Sequence, residues 1–151
     1  MSSRFRLGIV LRLREMTEEA ARIELGRAVS VHQSAVVVVE AAHERAGQEL
    51  RWLANLQTDP AEAGQLQTAV LAVAAAQRAI VAAQEQLGRA TGTLFEARRV
   101  LADAVRQREV VERLRDRFQL AERREMEHQD SLTMSEIGST QYAIRIARQR
   151  Q

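Results

Sequence analysis

Two short motifs offer the residue types that metal chemistry needs. Each places a glutamate three residues before a histidine, in Glu40 to His43 and in Glu125 to His128. A spacing of three puts the carboxylate and the imidazole on one face of an α-helix, the arrangement used in di-iron helix bundles. Such a bundle also needs two glutamates from other helices, with all the ligands converging. Whether they converge depends on the elements that carry them.

Those elements are predicted to be two long helices. Aromatic residues make up 3 % of the 151 residues and there is one proline, a composition typical of extended helices. Asp59 can cap a helix, Pro60 is tolerated at its first position, and Glu62 completes a capping box. We predict a single coiled-coil domain over 1–151, with helix 1 at about 3–57, a turn at 58–60, helix 2 at about 60–135 and a frayed tail at 136–151.

The second helix carries a heptad seam. A large aliphatic residue recurs at every seventh position, and an alanine lies three positions after each one. Small residues let a partner helix approach closely, which suits an antiparallel pair joined by a short turn. The large residues are Leu66, Val73, Ile80, Leu87, Leu94 and Leu101, and the alanines are Ala69, Ala76, Ala83, Ala90, Ala97 and Ala104.

Beyond Leu101 the seam weakens. Arg108 and Arg115 take the large positions, and a competing stripe of Val110, Leu114 and Phe118 predicts a shift of register. The first helix is less regular. Its predicted seam follows alternating steps of three and four residues and comprises Leu7, Val10, Ala21, Ala28, Val31, Ala35, Val38, Ala42 and Trp52. A second apolar stripe lies beside this seam and comprises Leu11, Leu25, Val29, Val36, Val39, Leu50 and Leu53.

The predicted fold class is therefore all-α, a long two-helix antiparallel coiled-coil hairpin with a C-terminal helix overhang. Folding about residues 58–60 places residue i of the first helix near residue 119 − i of the second, and the overhang begins near Phe118. His43 then lies far from His128, so the two motifs do not converge. A lone coil also offers no concave pocket. We predict no catalytic, cofactor or metal residues, and a protein that is not an enzyme.

Charge patterning argues against nucleic acid as the partner. The formal net charge is +2, and arginines alternate closely with acidic residues, as on a solvated helix face. The chain has no cysteine, and no uninterrupted apolar run reaches the roughly 18 residues that span a bilayer. These observations predict a soluble cytoplasmic protein that binds other proteins, with no small-molecule substrate.

Both ends of the chain resemble one family. Arg4-Phe5-Arg6-Leu7, then Val10 to Glu15 and Glu18 to Ala21, look like the start of the flagellar export protein FliJ. Val111 to Phe118, then Arg123-Arg124-Glu125 and Asp130, are similar to that family's charged C-terminal helix. The predicted length, turn and overhang agree with this resemblance, which covers nearly the whole chain.

The resemblance implies a non-enzymatic part of the flagellar type III export apparatus. It implies a central stalk that binds the export ATPase hexamer, contacts the export gate protein and export chaperones, and lies at the inner face of the cell membrane. The alternatives are a generic coiled-coil scaffold or an injectisome ATPase stalk protein. By the resemblance, the ATPase ring would be engaged by Phe5, Leu7, Leu11, Arg12, Arg113, Leu114, Arg117 and Phe118.

Overall fold

A computed structural model describes residues 2–58 and 62–149, and these residues form two helices. Helix α1 spans Ser2–Thr58 and helix α2 spans Ala63–Gln149. The two helices pack against each other, and the described residues contain no strand. The predicted all-α helical hairpin is confirmed.

Helix α2 begins slightly later than the capping pattern predicts. The carbonyl of Glu62 accepts hydrogen bonds from the amides of Gln65, at 2.9 Å, and Leu66, at 3.3 Å. Glu62 itself is not helical, so it is the residue whose carbonyl opens the helix. Asp59 and Pro60, the expected cap and first helical residue, lie outside the described residues.

Helix α2 also continues to Gln149 instead of ending near residue 135. Gly138 lies inside this helix, and no glycine among the described residues has the positive φ that a C-terminal cap uses. The hydroxyls of Ser139 and Thr140 both donate to the carbonyl of Glu136, at 2.9 and 2.8 Å. These bonds along the helix axis are compatible with helical backbone, so this segment propagates the helix.

The packed residues fall into two compact units, Met16–Val105 and Met1–Glu15 with Arg106–Gln151. In the unit Met16–Val105, α1 packs through a strict heptad whose residues differ from those predicted for the seam of the first helix. Val31, Val38 and Trp52 were placed in the seam, yet all three are exposed. The packed positions are buried or half-buried, and they are Ala21, Leu25, Ala28, His32, Ala35, Val39, Ala42, Ala46, Glu49, Leu53 and Leu56, together with the buried Glu18.

Polar residues explain why this register is hard to read from sequence. Glu18, His32 and Glu49 occupy packed positions where an apolar residue would be expected. Glu18 is 3 % exposed, and its carboxylate accepts a hydrogen bond from the Arg22 guanidinium one turn later. A buried carboxylate needs such a partner.

In the same unit, the alanine positions of α2 are packed most closely. Ala69, Ala76, Ala83, Ala90 and Ala104 are buried, and Ala97 is half-buried. Among the large positions Leu94 is buried, and Leu66, Val73, Ile80, Leu87 and Leu101 are half-buried. The alanines thus allow the close approach, while the larger side chains reach partly to the surface.

In the unit formed by Met1–Glu15 and Arg106–Gln151, α2 keeps the same heptad register to its last packed turn. Leu11 and Val111 are buried, and the guanidinium of Arg14 donates to Oε1 of Gln107 at 2.6 Å. The pairing rule places residue 14 opposite residue 105, two positions from the observed partner. Val111 lies seven residues after the buried Ala104 on the same helix, so the predicted shift of register is wrong. Val10, placed in the predicted seam of the first helix, is exposed.

Part of α2 is apolar enough to satisfy a simple test for a membrane span. An 18-residue window has a mean hydropathy of 1.5 and at most two charged residues. Uninterrupted apolar runs of that length are absent from the sequence, but the window average tolerates polar residues. Core helices of soluble proteins share this length and composition, so these two properties alone do not identify a membrane span.

Candidate protein-binding surface

The two glutamate–histidine motifs lie on open helix surface. Glu40, His43, Glu125 and His128 are all exposed. Within residues 2–58 and 62–149, no group of three or more acidic or histidine side chains is arranged to hold a metal ion. Neither motif gains the additional ligands that a di-iron site would need.

The apolar residues that the resemblance assigns to ATPase binding differ in accessibility on α1. Leu7 is half-buried and Leu11 is only 6 % exposed, so Leu11 packs inside the hairpin and offers no surface to a partner. Arg12 is exposed. The side chain of Phe5 lies outside the described part of the chain. On α1, therefore, Arg12 and the accessible half of Leu7 remain as candidate contacts.

On α2 the assigned residues are accessible. Val110, Leu114 and Phe118 follow one another at intervals of four, which places them along one helix face. Because Val111 takes the packed position, Val110 and Leu114 point outward. Phe118 lies seven residues after Val111, at the same heptad position, and is 49 % exposed where the packing ends. The stripe that predicted a shift of register is thus external apolar surface.

Two arginines accompany that stripe. Arg113 forms a surface ion pair with Glu109 at 3.4 Å, and its side chain is 74 % exposed. Arg117 is exposed and has no ion-pair partner among the described residues. Exposed pairs of this kind contribute little to stability, about 0–1 kcal/mol, so both guanidinium groups remain available to an acidic partner.

Beyond Gln119 almost every described side chain of α2 is exposed. Helix α1 begins at Ser2, which the observed pairing of Arg14 with Gln107 places opposite residue 119, so the later part of α2 has no α1 residue opposite it. This segment, 119–149, is the overhang. It nevertheless carries large exposed apolar side chains, namely Leu120, Met126, Leu132, Met134, Ile137, Tyr142 and Ile144.

A second surface, in the unit 16–105, was not foreseen from sequence. An open groove runs between α1 and α2 on one side of the seam, with an open volume of about 820 Å³ in its first stretch. We call it the alanine groove. Ala21, Ala28, Val31, Gly92, Ala97 and Val100 contribute to the first stretch, and Ala35, Val38, Arg89, Ala90 and Thr93 to the next. The wrongly assigned Val31 and Val38 belong to this groove, so their apolar character marks a surface.

Ion pairs lie along the edge of the groove. Glu24 accepts a hydrogen bond from Arg27 on α1, and Glu96 accepts one from Arg99 at 2.8 Å on α2. The hydrogen bond that Arg99 donates to Glu96, together with the negative charge of that carboxylate, raises the pKa of Arg99 above its ordinary value. An arginine is protonated in any case, so this shift identifies an ordinary surface ion pair and no acid–base chemistry.

Comparison with known proteins agrees with the resemblance of the two ends. A family model described as "FliJ: Flagellar FliJ protein" matches residues 2–146, nearly the whole chain. No curated protein matches the chain.

Proposed function

Because the chain belongs to the flagellar FliJ family and is thus a component of the flagellar export apparatus, we propose that it binds the export ATPase hexamer as a non-enzymatic central stalk. We further propose that it contacts the export gate protein and export chaperones, from a cytoplasmic position at the inner face of the membrane. A cytoplasmic, membrane-proximal location agrees with membership of this family of flagellar export components.

The apolar overhang is the observation that carries this proposal. Solvent-exposed apolar side chains on a helix with no intramolecular partner are typical of surfaces that another protein covers. Met134 is 71 % exposed and Tyr142 is 67 % exposed, although both are large. A ring of subunits around a single helix would cover such residues on several faces at once, whereas a flat partner would cover only one.

The exposed stripe next to the overhang supplies a second, polar component. Arg113 and Arg117 lie four residues apart, beside Leu114 and Phe118. In this arrangement the arginines attract an acidic surface over a distance, and the apolar groups stabilise the complex after contact. Long-range attraction changes association rates more than dissociation rates.

Reversing the two arginine charges tests this proposal. With Arg113→Glu and Arg117→Glu together, we expect the association rate with the flagellar export ATPase from the same genome to fall about tenfold at low salt. The difference should shrink as ionic strength approaches 1 M, where the Debye length is about 3 Å. Stopped-flow or surface-binding kinetics at several salt concentrations would measure it.

A matched control is available in the same helix. Arg78 and Arg98 are exposed and lie outside the assigned surface, so reversing both changes the net charge equally. We expect this control to bind at nearly the wild-type rate. Equal slowing by both double variants would attribute the effect to total charge and exclude a specific contact at Arg113 and Arg117.

A further inference from the structure

The C-terminal part of the chain changes from acidic to basic along its length. Residues 125–136 contain no arginine or lysine, and residues 137–151 contain no acidic residue. The acidic residues of the first segment are Glu125, Glu127, Asp130 and Glu136, and the arginines of the second are Arg145, Arg148 and Arg150. Since no acidic residue lies three or four positions from Arg145 or Arg148, neither can form an ion pair along its own helix face.

One face of the overhang joins these charges to exposed apolar side chains. Alternating steps of four and three residues keep this face within about 80° of the helix circumference. Its members are exposed, and they are Asp130, Met134, Ile137, Gln141, Ile144 and Arg148. Three of them also line one shallow recess, namely Gln141, Ile144 and Arg148. We call this face the tail stripe, and it has the spacing of a short coiled-coil seam.

The tail stripe is complementary to itself. Three pairs of its members are symmetric about residue 139: Asp130 with Arg148, Met134 with Ile144, and Ile137 with Gln141. We propose that the tail stripe binds the tail stripe of a second copy of this chain, antiparallel and about a two-fold axis beside residue 139. Asp130 then lies against the partner's Arg148, and Met134 packs against the partner's Ile144.

The charges select both the orientation and the occupant. In the antiparallel pair, the acidic segment 125–136 of each copy lies along the basic segment 137–151 of the other. A parallel pair would place acidic beside acidic and basic beside basic, which is unfavourable. The match involves whole segments of one helix, so it does not depend on how α1 pairs with α2.

The overhang is long enough for this pairing. With the axis beside residue 139, Gln149 of one copy is level with residue 129 of the other. Helix α1 begins opposite residue 119, roughly 15 Å farther along at the rise of an α-helix. The contact, about 28 Å long on one helix face, covers on the order of 500 Å² per copy, below the roughly 800 Å² of a standard interface. A weak dimer, formed at micromolar concentrations, is therefore expected.

Sedimentation velocity of the full chain over about 5–500 μM tests the dimer. Arg145→Glu with Arg148→Glu removes the attraction between facing segments, as does Glu127→Arg with Asp130→Arg. Each double variant is expected to dimerise at least about tenfold more weakly than the wild type. An equimolar mixture of the two should dimerise again, since opposite charges face each other once more. Circular dichroism would verify that each variant is helical.

Arg78→Glu with Arg98→Glu is the matched control, because it reverses two exposed arginines outside the overhang. It should dimerise as the wild type does. A wild-type chain that stays monomeric at every concentration would overturn the proposal, and so would a mixture of the complementary variants that stays monomeric. The dimer is measured on the chain alone, so its failure would leave the proposed ATPase contact standing.

A pair of apolar variants tests which face is covered. Ile144 lies in the tail stripe and is 50 % exposed, whereas Leu132 lies on the opposite face of the same helix and is 53 % exposed. Ile144→Gln is expected to weaken dimerisation at least about tenfold, and Leu132→Gln to leave it unchanged. Equal weakening by both variants would exclude the tail stripe as the interface.

Cysteine cross-linking tests the orientation. The chain has no cysteine, so Met134→Cys and Ile144→Cys each introduce a single thiol, and a tag on one variant distinguishes the products by size. In the antiparallel pair the two positions face each other, whereas two copies of position 134 are roughly 15 Å apart, too far for a disulfide. Mild oxidation of an equimolar mixture should form the mixed disulfide at least about tenfold faster than either homodimer. Homodimeric disulfides that form as fast would overturn the antiparallel arrangement.

Discussion

A chain that lacks residues 119–151 is expected to remain a folded hairpin but to lose stimulation of the flagellar export ATPase. All buried residues among the described ones lie between Leu11 and Val111, so the deletion removes no packed core. It does remove every large apolar side chain of the overhang. Burial of two such side chains corresponds to about 3 kcal/mol, or roughly a 100-fold weaker Kd. Circular dichroism, pull-down and an ATPase assay would measure the two outcomes.

A full-length variant separates loss of the apolar groups from loss of the helix itself. Met126→Gln, Leu132→Gln and Ile137→Gln keep the length of α2 and should also abolish stimulation. As a control, Thr133→Ala and Ser135→Ala remove two exposed hydroxyls that donate to backbone carbonyls within the helix, and should leave stimulation unchanged. Full stimulation by the truncated chain would exclude the overhang as the ATPase contact.

Ala90→Leu is expected to destabilise the hairpin by about 1–3 kcal/mol, because three extra carbons must enter the tightly packed side of the seam. Ala90 is 6 % exposed and borders the alanine groove beside Ala35. For a protein of this size, such a loss lowers the thermal midpoint by several degrees. Thermal and urea unfolding, followed by circular dichroism at a fixed protein concentration, would measure it.

Gly88→Ala provides the matched control two residues away. Gly88 is exposed, and a Cβ added there would meet nothing within 4 Å. Since glycine in a helix interior is less stable than alanine by about 0.5–1 kcal/mol, this variant should be slightly more stable than the wild type. If Ala90→Leu unfolds no earlier than Gly88→Ala, Ala90 does not occupy a tight position.

The hairpin fold could be predicted from α2 because its heptad is uninterrupted. A large residue and an alanine repeat at fixed spacing, and only one helix register buries both. The first helix has alanines too, but Glu18, His32 and Glu49 interrupt its packed positions. Val31 and Val38 supply an equally good apolar spacing, and hydrophobicity alone therefore selects the wrong heptad register for α1. The register of α1 is determined by which of its faces packs against α2.

The candidate surfaces depended on the same distinction between covered and open apolar residues. Leu11 and Phe118 are both large and apolar, and both were assigned to ATPase binding, yet one is buried and the other is open. Sequence spacing cannot separate them, because Leu11 lies seven residues before the buried Glu18 and Phe118 lies seven residues after the buried Val111, so both occupy packed heptad positions. The alanine groove was missed for a related reason, since it combines residues from two helices that are distant in sequence.

The open overhang has a thermodynamic consequence. A helix without tertiary contacts opens and closes locally at little cost in free energy, so its amide protons are expected to exchange far faster than those near Ala69 or Ala90. A partner that holds this segment must restrict its conformational entropy, which offsets part of the favourable burial. The resulting contact is weaker than its apolar area alone would give, and it releases readily on warming.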